Sequence, residues 1–271
     1  MNSSRLIIRN ALIFLFSVAS TVLSAQEFEP EVGQQGKDVV WVPTPTELVN
    51  TMLDIAKVTS ADFLVDLGSG DGRTVITAAK RGANAVGIEF NPEMVKLSTN
   101  NAKKEGVSDK AKFFNMDLYE YDLSKATVIT MFLLPEINLK LRPKLLELKP
   151  GTRIVSNTFT MSDWEPDYEV TTEDNSNSWN TALLWIIPAK VEGTWKLGQG
   201  ELKLTQKFQM IQGTFKNGTR SSSIRDGRLR GDEITFNIDG NTYSGKVNDK
   251  KMIGTLTNTN AGTKSDWTAT Q

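Results

Sequence analysis

From Phe63 to Arg73 an apolar run ends at the acid Asp66, and after Leu67 glycine recurs at every second position, Gly68, Gly70 and Gly72. Glycine lets a chain leave a strand, turn sharply and enter a helix while its backbone lies against a ligand, so this stretch has the makings of a nucleotide site. Two familiar fingerprints fail on spacing. The dinucleotide pattern G-x-G-x-x-G requires glycine where Arg73 stands, and the Gly-Lys-Ser/Thr ending of a Walker loop is absent. A second acid, Glu89, closes the run Ala85-Val86-Gly87-Ile88 and lies 23 positions after Asp66. That is near the roughly 20 expected for a carboxylate that accepts from two ribose hydroxyls. Phe90 beside it can lie against a purine or pack into the core. Asp117, after the run Lys112 to Met116, can accept from the exocyclic amine of adenine or simply close a turn.

The 271 residues include no histidine and no cysteine. This excludes a Ser-His-Asp triad, a thiol nucleophile, a disulfide and any thiolate or imidazole metal site, so no metal is expected. A transfer from an already activated donor, with little proton traffic, suits the remaining acid–base groups. Thirty-one basic residues against 32 acidic ones leave a formal charge of −1, which argues against a nucleic-acid partner.

The elements that must position these residues can be read in order. Residues 1–25 carry Arg5 and Arg9, then the apolar run Ala11 to Ala19, then Leu23-Ser24-Ala25, the order of a secretory signal peptide cut after Ala25. Export to the periplasm or beyond is the expectation. Uncleaved, the segment would be a membrane anchor and the one membrane contact; a mitochondrial address is the other reading. Residues 26–40 are polar and mixed, and read as a linker. Thr44, Pro45 and Glu47 form a capping box for a helix to about Val58, which covers either the sheet edge or the site. Strands are expected at Phe63, Ala85, Lys112, Thr127 to Leu134 and Thr152 to Ser156. Helices follow Gly72, Asn91-Pro92 and Pro135, the last over 136–148, and runs near Tyr168 and Thr181 to Ile187 suit a closing hairpin.

From Val191 onward short alternating runs are separated by turn pairs such as Asn217-Gly218, Asp226-Gly227 and Asp239-Gly240. This predicts a second domain over 191–271, an antiparallel β meander or small barrel, closed by Gly193-Thr194-Trp195 against Ser265 to Thr268.

Acidic-x-G-x-G-x-G resembles the first motif of the class I S-adenosylmethionine methyltransferases. With Val42-Pro43-Thr44-Pro45, Gly87-Ile88-Glu89, Asn91-Pro92, Met131 to Pro135 and Arg153-Ile154-Val155-Ser156, the chain over about 40–187 resembles the seven-β-strand protein-lysine methyltransferases that modify the c-ring protein of ATP synthase and the adenine nucleotide translocase. The resemblance implies an α/β, Rossmann-like seven-stranded sheet over 41–188, S-adenosylmethionine as methyl donor, and a protein with an accessible lysine as acceptor. It implies that Asp66, Gly68, Ser69, Gly70 and Gly72 hold the methionine part, Glu89 the ribose, and Phe90 and Asp117 the adenine, with Thr44 also on the cofactor. Trp41, Phe132, Leu134, Pro135 and Asn157 would line the acceptor side. Trp41 stands where the family often has tyrosine. The alternative is an exported, non-enzymatic binding or scaffolding protein that keeps the fold.

Overall fold

The computed structural model describes residues 28–173 and 178–271, so the leader read at 1–25 lies outside the described residues. Seven strands make the first sheet: β1 (Phe63–Leu67), β2 (Asn84–Glu89), β3 (Ala111–Asn115), β4 (Val128–Met131), β5 (Arg153–Asn157), β6 (Tyr168–Thr171) and β7 (Thr181–Ile186). Their order is β3-β2-β1-β4-β5-β7-β6, the first five parallel and the last two antiparallel to their neighbours. Parallel neighbours need crossover helices, which cover both faces and leave the central strands apolar. Leu48, Val49, Met52 and Leu53 of α1 (Thr46–Ile55) pack on one face with Val75 and Ala78 of α2 (Arg73–Lys80) and Ala102 of α3 (Pro92–Lys104). Ile137, Leu141 and Leu145 of α4 (Pro135–Leu145) pack on the other, with Trp164 and Trp185. The chain runs from β1 outward to β3 and then returns to β4 on the far side of β1. The crevice opened by that reversal is where ligands of such sheets sit.

Three elements differ from expectation by more than one residue at an end. The run Thr127 to Leu134 is a strand only over Val128–Met131, because Phe132, Leu133 and Leu134 leave the sheet at its carboxyl edge. α1 stops at Ile55, since Lys57 takes a left-handed φ of 52°. α4 begins at Pro135 and ends at Leu145.

At the opposite edge Asp62 ties the sheet together. It accepts from the Thr59 amide at 2.8 Å and the Thr127 hydroxyl at 2.7 Å, and it pairs with Arg153, whose other arm reaches the Ala56 carbonyl at 2.6 Å. Burial opposes its charge, but these partners prevail and hold its carboxyl below the ordinary value.

The second sheet comprises β8 (Gly193–Leu197), β9 (Gly200–Lys207), β10 (Met210–Asn217), β11 (Arg220–Ser223), β12 (Arg225–Arg230), β13 (Glu233–Ile238), β14 (Asn241–Asn248), β15 (Lys251–Asn258) and β16 (Lys264–Thr270). It is a closed barrel. β11 and β12 both pair with β10 and act as one bent strand, which makes eight staves, and β16 returns to β8. First and last strands therefore meet, but through Lys196 and Leu197 with Thr270 and Ala269, not through Gly193 to Trp195. Asp226-Gly227 is not a turn. It is a bulge inside β12, with Asp226 at φ 50°, and a Cβ on Gly227 would lie 2.3 Å from the Ile211 carbonyl oxygen. The bulge bends the strand where the barrel must curve. Phe236, Tyr243 and Trp267 stack and cross at 4.9–5.7 Å between centroids and help fill the interior.

The β9–β10 turn locks the barrel to the first domain. Phe208 stacks on the fully buried Trp164 at 5.4 Å, while Gln209 accepts from the Trp164 indole at 2.9 Å and donates to the Glu165 carbonyl at 2.8 Å. Arg228 adds a bond to the buried carboxylate of Asp167 at 2.7 Å. Gln209→Ala would strand two polar groups, at a cost of about 1–3 kcal/mol. The variant should show a lowered thermal transition by calorimetry; an unchanged one would mean that the two domains do not meet through this turn.

Candidate active site

Gly68, Gly70 and Gly72 all have positive φ, 76°, 52° and 84°, as a chain turning from β1 into α2 requires. The Gly68 and Ser69 amides donate to the Ile88 carbonyl at 2.9 and 3.1 Å, which ties the turn to the end of β2. Glu89 completes the tie. Its two carboxylate oxygens accept from the amides of Gly70 at 3.0 Å and Asn91 at 2.9 Å. A carboxylate has about four acceptor positions, so others remain for a diol in the cavity that Glu89 lines.

Two members of the predicted set do something else. Gly72 does not line the cavity: a Cβ there would come within 2.7–2.8 Å of Phe113 and Ser98, so this glycine seats the start of α2 against its neighbours. Ser69 lines the cavity, but its hydroxyl lies against Gly87 and has no hydrogen-bond partner among the described residues.

Asp66 is 6% exposed at the β1–β4 switch point, and its one side-chain hydrogen bond among the described residues is from the Thr130 hydroxyl at 2.6 Å. Burial pushes its pKa up to about 7, opposed by Thr130 and helped by the charges of Asp71 and Glu89. A buried carboxylate with spare acceptor capacity, facing a cavity, fits a cationic ligand group such as an α-amine or a sulfonium.

Thr44 and Asn157 are a pair. Thr44 does not cap α1, whose N-cap is Pro45 without a side-chain bond. It is buried and its hydroxyl accepts from the Asn157 amide at 3.3 Å, while its carbonyl accepts from Arg73 at 2.9 Å. Asn157 does not reach the cavity wall; it anchors Thr44, which does. Arg73, unassigned from sequence, grips Asp71 through both carboxylate oxygens and so fixes the glycine turn to the chain before α1.

Residues 33–40, read as part of a linker, form with Trp41 a strap over the cavity. The Gly33 amide donates to the Trp41 carbonyl and the Trp41 amide to the Gln34 carbonyl, each at 2.9 Å, and the Trp41 indole lies on Gly70, where a Cβ would be 2.5 Å from Nε1. Lys37 pairs with Asp117 and stands 4.8 Å over the ring of Phe90. Phe90 is 51% exposed, which rules out the core role left open for it. Asp117 accepts from both Lys37 and the Tyr119 amide, and these bonds hold its carboxyl below the ordinary value while the pairing raises Lys37. An adenine stacked on Phe90 and bonded to Asp117 would need the place of that ammonium.

On the acceptor side Phe132, Leu134 and Trp41 line the cavity. Pro135, the first residue of α4, does not. Phe159 and Trp179 join them, and no motif marks either. Phe159 stands two residues after β5 and Trp179 two before β7, so the alternation of runs and loops is the one available signal.

The ANTKMT methyltransferase domain model matches residues 66–168. A protein-lysine N-methyltransferase of Saccharolobus islandicus is 46% identical over 152 residues, 55% of this chain and 94% of the relative. The human lysine N-methyltransferase of the ATP synthase C protein is 38% identical over 140 residues, 51% of this chain and 59% of the relative. A solved structure from Salinibacter ruber, described as an RNA methyltransferase in complex with S-adenosyl-L-homocysteine, is 49% identical with a TM-score of 0.52, over 55% of this chain and 96% of that one.

Two measurements test this geometry. With a pKa raised from 3.8 to about 7, Asp66 contributes stability to the ligand-free protein that is complete below its unfolded value and lost as pH rises through the folded one. A cationic ligand needs the ionised form, so affinity for S-adenosylmethionine should climb by up to about tenfold per pH unit until that folded value is reached, and Asp66→Asn should flatten the slope. A flat profile in the wild type between about pH 5.5 and pH 7.5 would contradict the assignment. Lys37→Ala should tighten S-adenosylhomocysteine binding by freeing Asp117 and Phe90 from their ammonium; weaker binding would make the strap part of the bound state.

Proposed function

The chain belongs to the family of the protein-lysine N-methyltransferases, and on that premise we propose that it transfers a methyl group from S-adenosylmethionine to a lysine amine of a protein. That it is an S-adenosylmethionine-dependent methyltransferase follows from its relatives; the acceptor is our reading. The observation that carries it is the convergence of Asp66, Glu89 and the glycine turn in one cavity at the β1–β4 switch point.

The donor, when bound, supplies a sulfonium methyl open to in-line displacement. Glu89 would grip the ribose and keep the turn closed, and Asp66 would balance positive charge on the methionine side. Asp71 and Asp117 are engaged by Arg73 and Lys37, and the chain has no histidine to act as a base. The apolar side chains of Phe132, Leu133 and Leu134 would therefore serve by desolvating the incoming amine, which favours its neutral, nucleophilic form. Alignment of donor and acceptor provides the remainder of the acceleration.

The Salinibacter relative described as an RNA methyltransferase keeps a second acceptor class in view. Leu133-Leu134-Pro135-Glu136 after β4 lacks the Asn/Asp-Pro-Pro-Tyr turn suited to base amines, which supports lysine.

Full-length protein with isotope-labelled donor should label lysine in protein acceptors and leave RNA unlabelled. Glu89→Ala and Asp66→Ala should each weaken S-adenosylhomocysteine binding by about tenfold or more, the scale of one lost charge-assisted bond, in calorimetry. Label in RNA alone would reverse the acceptor assignment, and absence of both heat and transfer would leave a scaffolding role.

A further inference from the structure

We propose that Phe132, Phe159 and Trp179 form the wall that receives the alkylammonium end of the acceptor, with Trp179 as its specificity-determining residue. This rests on the amine acceptor proposed above and adds the group that recognises it. The three rings reach one cavity from three loops at the same edge of the sheet, after β4, after β5 and before β7. Phe132 and Phe159 lie nearly parallel, 5.8 Å apart at 21°, and Trp179 meets Phe132 at 6.0 Å and 62°. Two differently oriented ring planes thus make a corner. The nucleoside end of the cavity is marked by Glu89, Phe90 and Asp117, on β2 and just beyond β2 and β3, across β1 from this corner. The corner is left for the acceptor.

The chemistry of transfer suits such a wall. The amine lone pair forms the N–CH3 bond as the S–CH3 bond breaks, leaving a neutral thioether and a positively charged methylammonium, whose proton passes to solvent. Positive charge therefore moves from sulfur to nitrogen. Ring faces stabilise that charge without demanding a hydrogen bond, so they suit the methylammonium as it forms. The same cavity already holds one ammonium over one ring, Lys37 over Phe90.

The test needs no knowledge of the natural acceptor. Full-length protein saturated with S-adenosylhomocysteine is titrated with Nα-acetyl-trimethyllysine amide and with its neutral isostere, in which carbon replaces the quaternary nitrogen. The cation should bind about tenfold more tightly than the isostere, the scale of one desolvated cation–ring contact. Trp179→Ala and Phe132→Leu should erase the preference, Trp179→Phe should keep most of it, and all three should bind S-adenosylhomocysteine as the wild type does, which also reports their folding. Equal affinity for the two probes, no binding of the cation, or a preference that survives Trp179→Ala would overturn the proposal. Failure of the wild type to bind S-adenosylhomocysteine would instead overturn the donor site on which it rests.

Discussion

Asp66 sits at the carboxyl end of the first strand with apolar sheet around it, and among the described residues its side chain is bonded by Thr130 alone, from the next strand. An ionised carboxylate in such a place is costly unless a positive group arrives to meet it. That cost explains much of the surrounding architecture. The reversal of strand order between β1 and β4 opens a crevice in front of the carboxylate, and Gly68 and Gly70 of the turn that follows add no side chain to it. Glu89 holds the turn in place from the neighbouring strand. The far edge of the sheet needs no such opening, and there Asp62 has its cation built in, Arg153. One buried carboxylate is satisfied by the fold, the other is left for a ligand.

Whatever depends on local chain geometry is legible in the sequence. Asp66, Glu89 and the Asn91-Pro92 cap announce themselves because a strand end, a 23-residue interval and a helix start are short-range patterns. Gly72 misleads because a glycine required by the bulk of Phe113 and Ser98 looks the same in sequence as one required by a ligand. Thr44 and Asn157 are 113 positions apart, and no local signal tells a capping threonine from one held by a distant amide. The strap escapes notice for a related reason. Residues 33–40 are largely polar where they cross the cavity, and polarity without periodicity reads as linker until Lys37 is seen to meet Asp117. Asp226-Gly227 shows the same limit, since a bulge and a hairpin turn ask for the same two residues.

The barrel is more than an addition to the chain's end. Trp164 belongs to the first domain, yet its ring and its indole N–H are completed by Phe208 and Gln209 of the second. Trp164 also accepts through its carbonyl from the indole of Trp185, on β7, so the contact reaches the sheet itself. β7 lies between β5 and β6, and its first residues follow directly on Trp179 and Asn180. The barrel thus braces the strand that carries one side of the acceptor corner, which gives a catalytic domain a structural reason to retain it.

Around the cavity the repeated theme is accommodation of positive charge. Asp66 faces the switch point, Asp117 and Phe90 hold the Lys37 ammonium, and the rings of Phe132, Phe159 and Trp179 line the opposite end. A reaction that needed a general base would call for a carboxylate or imidazole aimed at the acceptor, and the chain contains no histidine at all. Methyl transfer from a sulfonium to a neutral amine needs something different, because the charge exists before the transfer and persists after it. The site's task is to keep that charge comfortable at sulfur, at nitrogen and between them, and to exclude the water that would compete for the amine. Carboxylate at one end and aromatic rings at the other do this without a general base aimed at the acceptor, and a chain without histidine or cysteine can supply both.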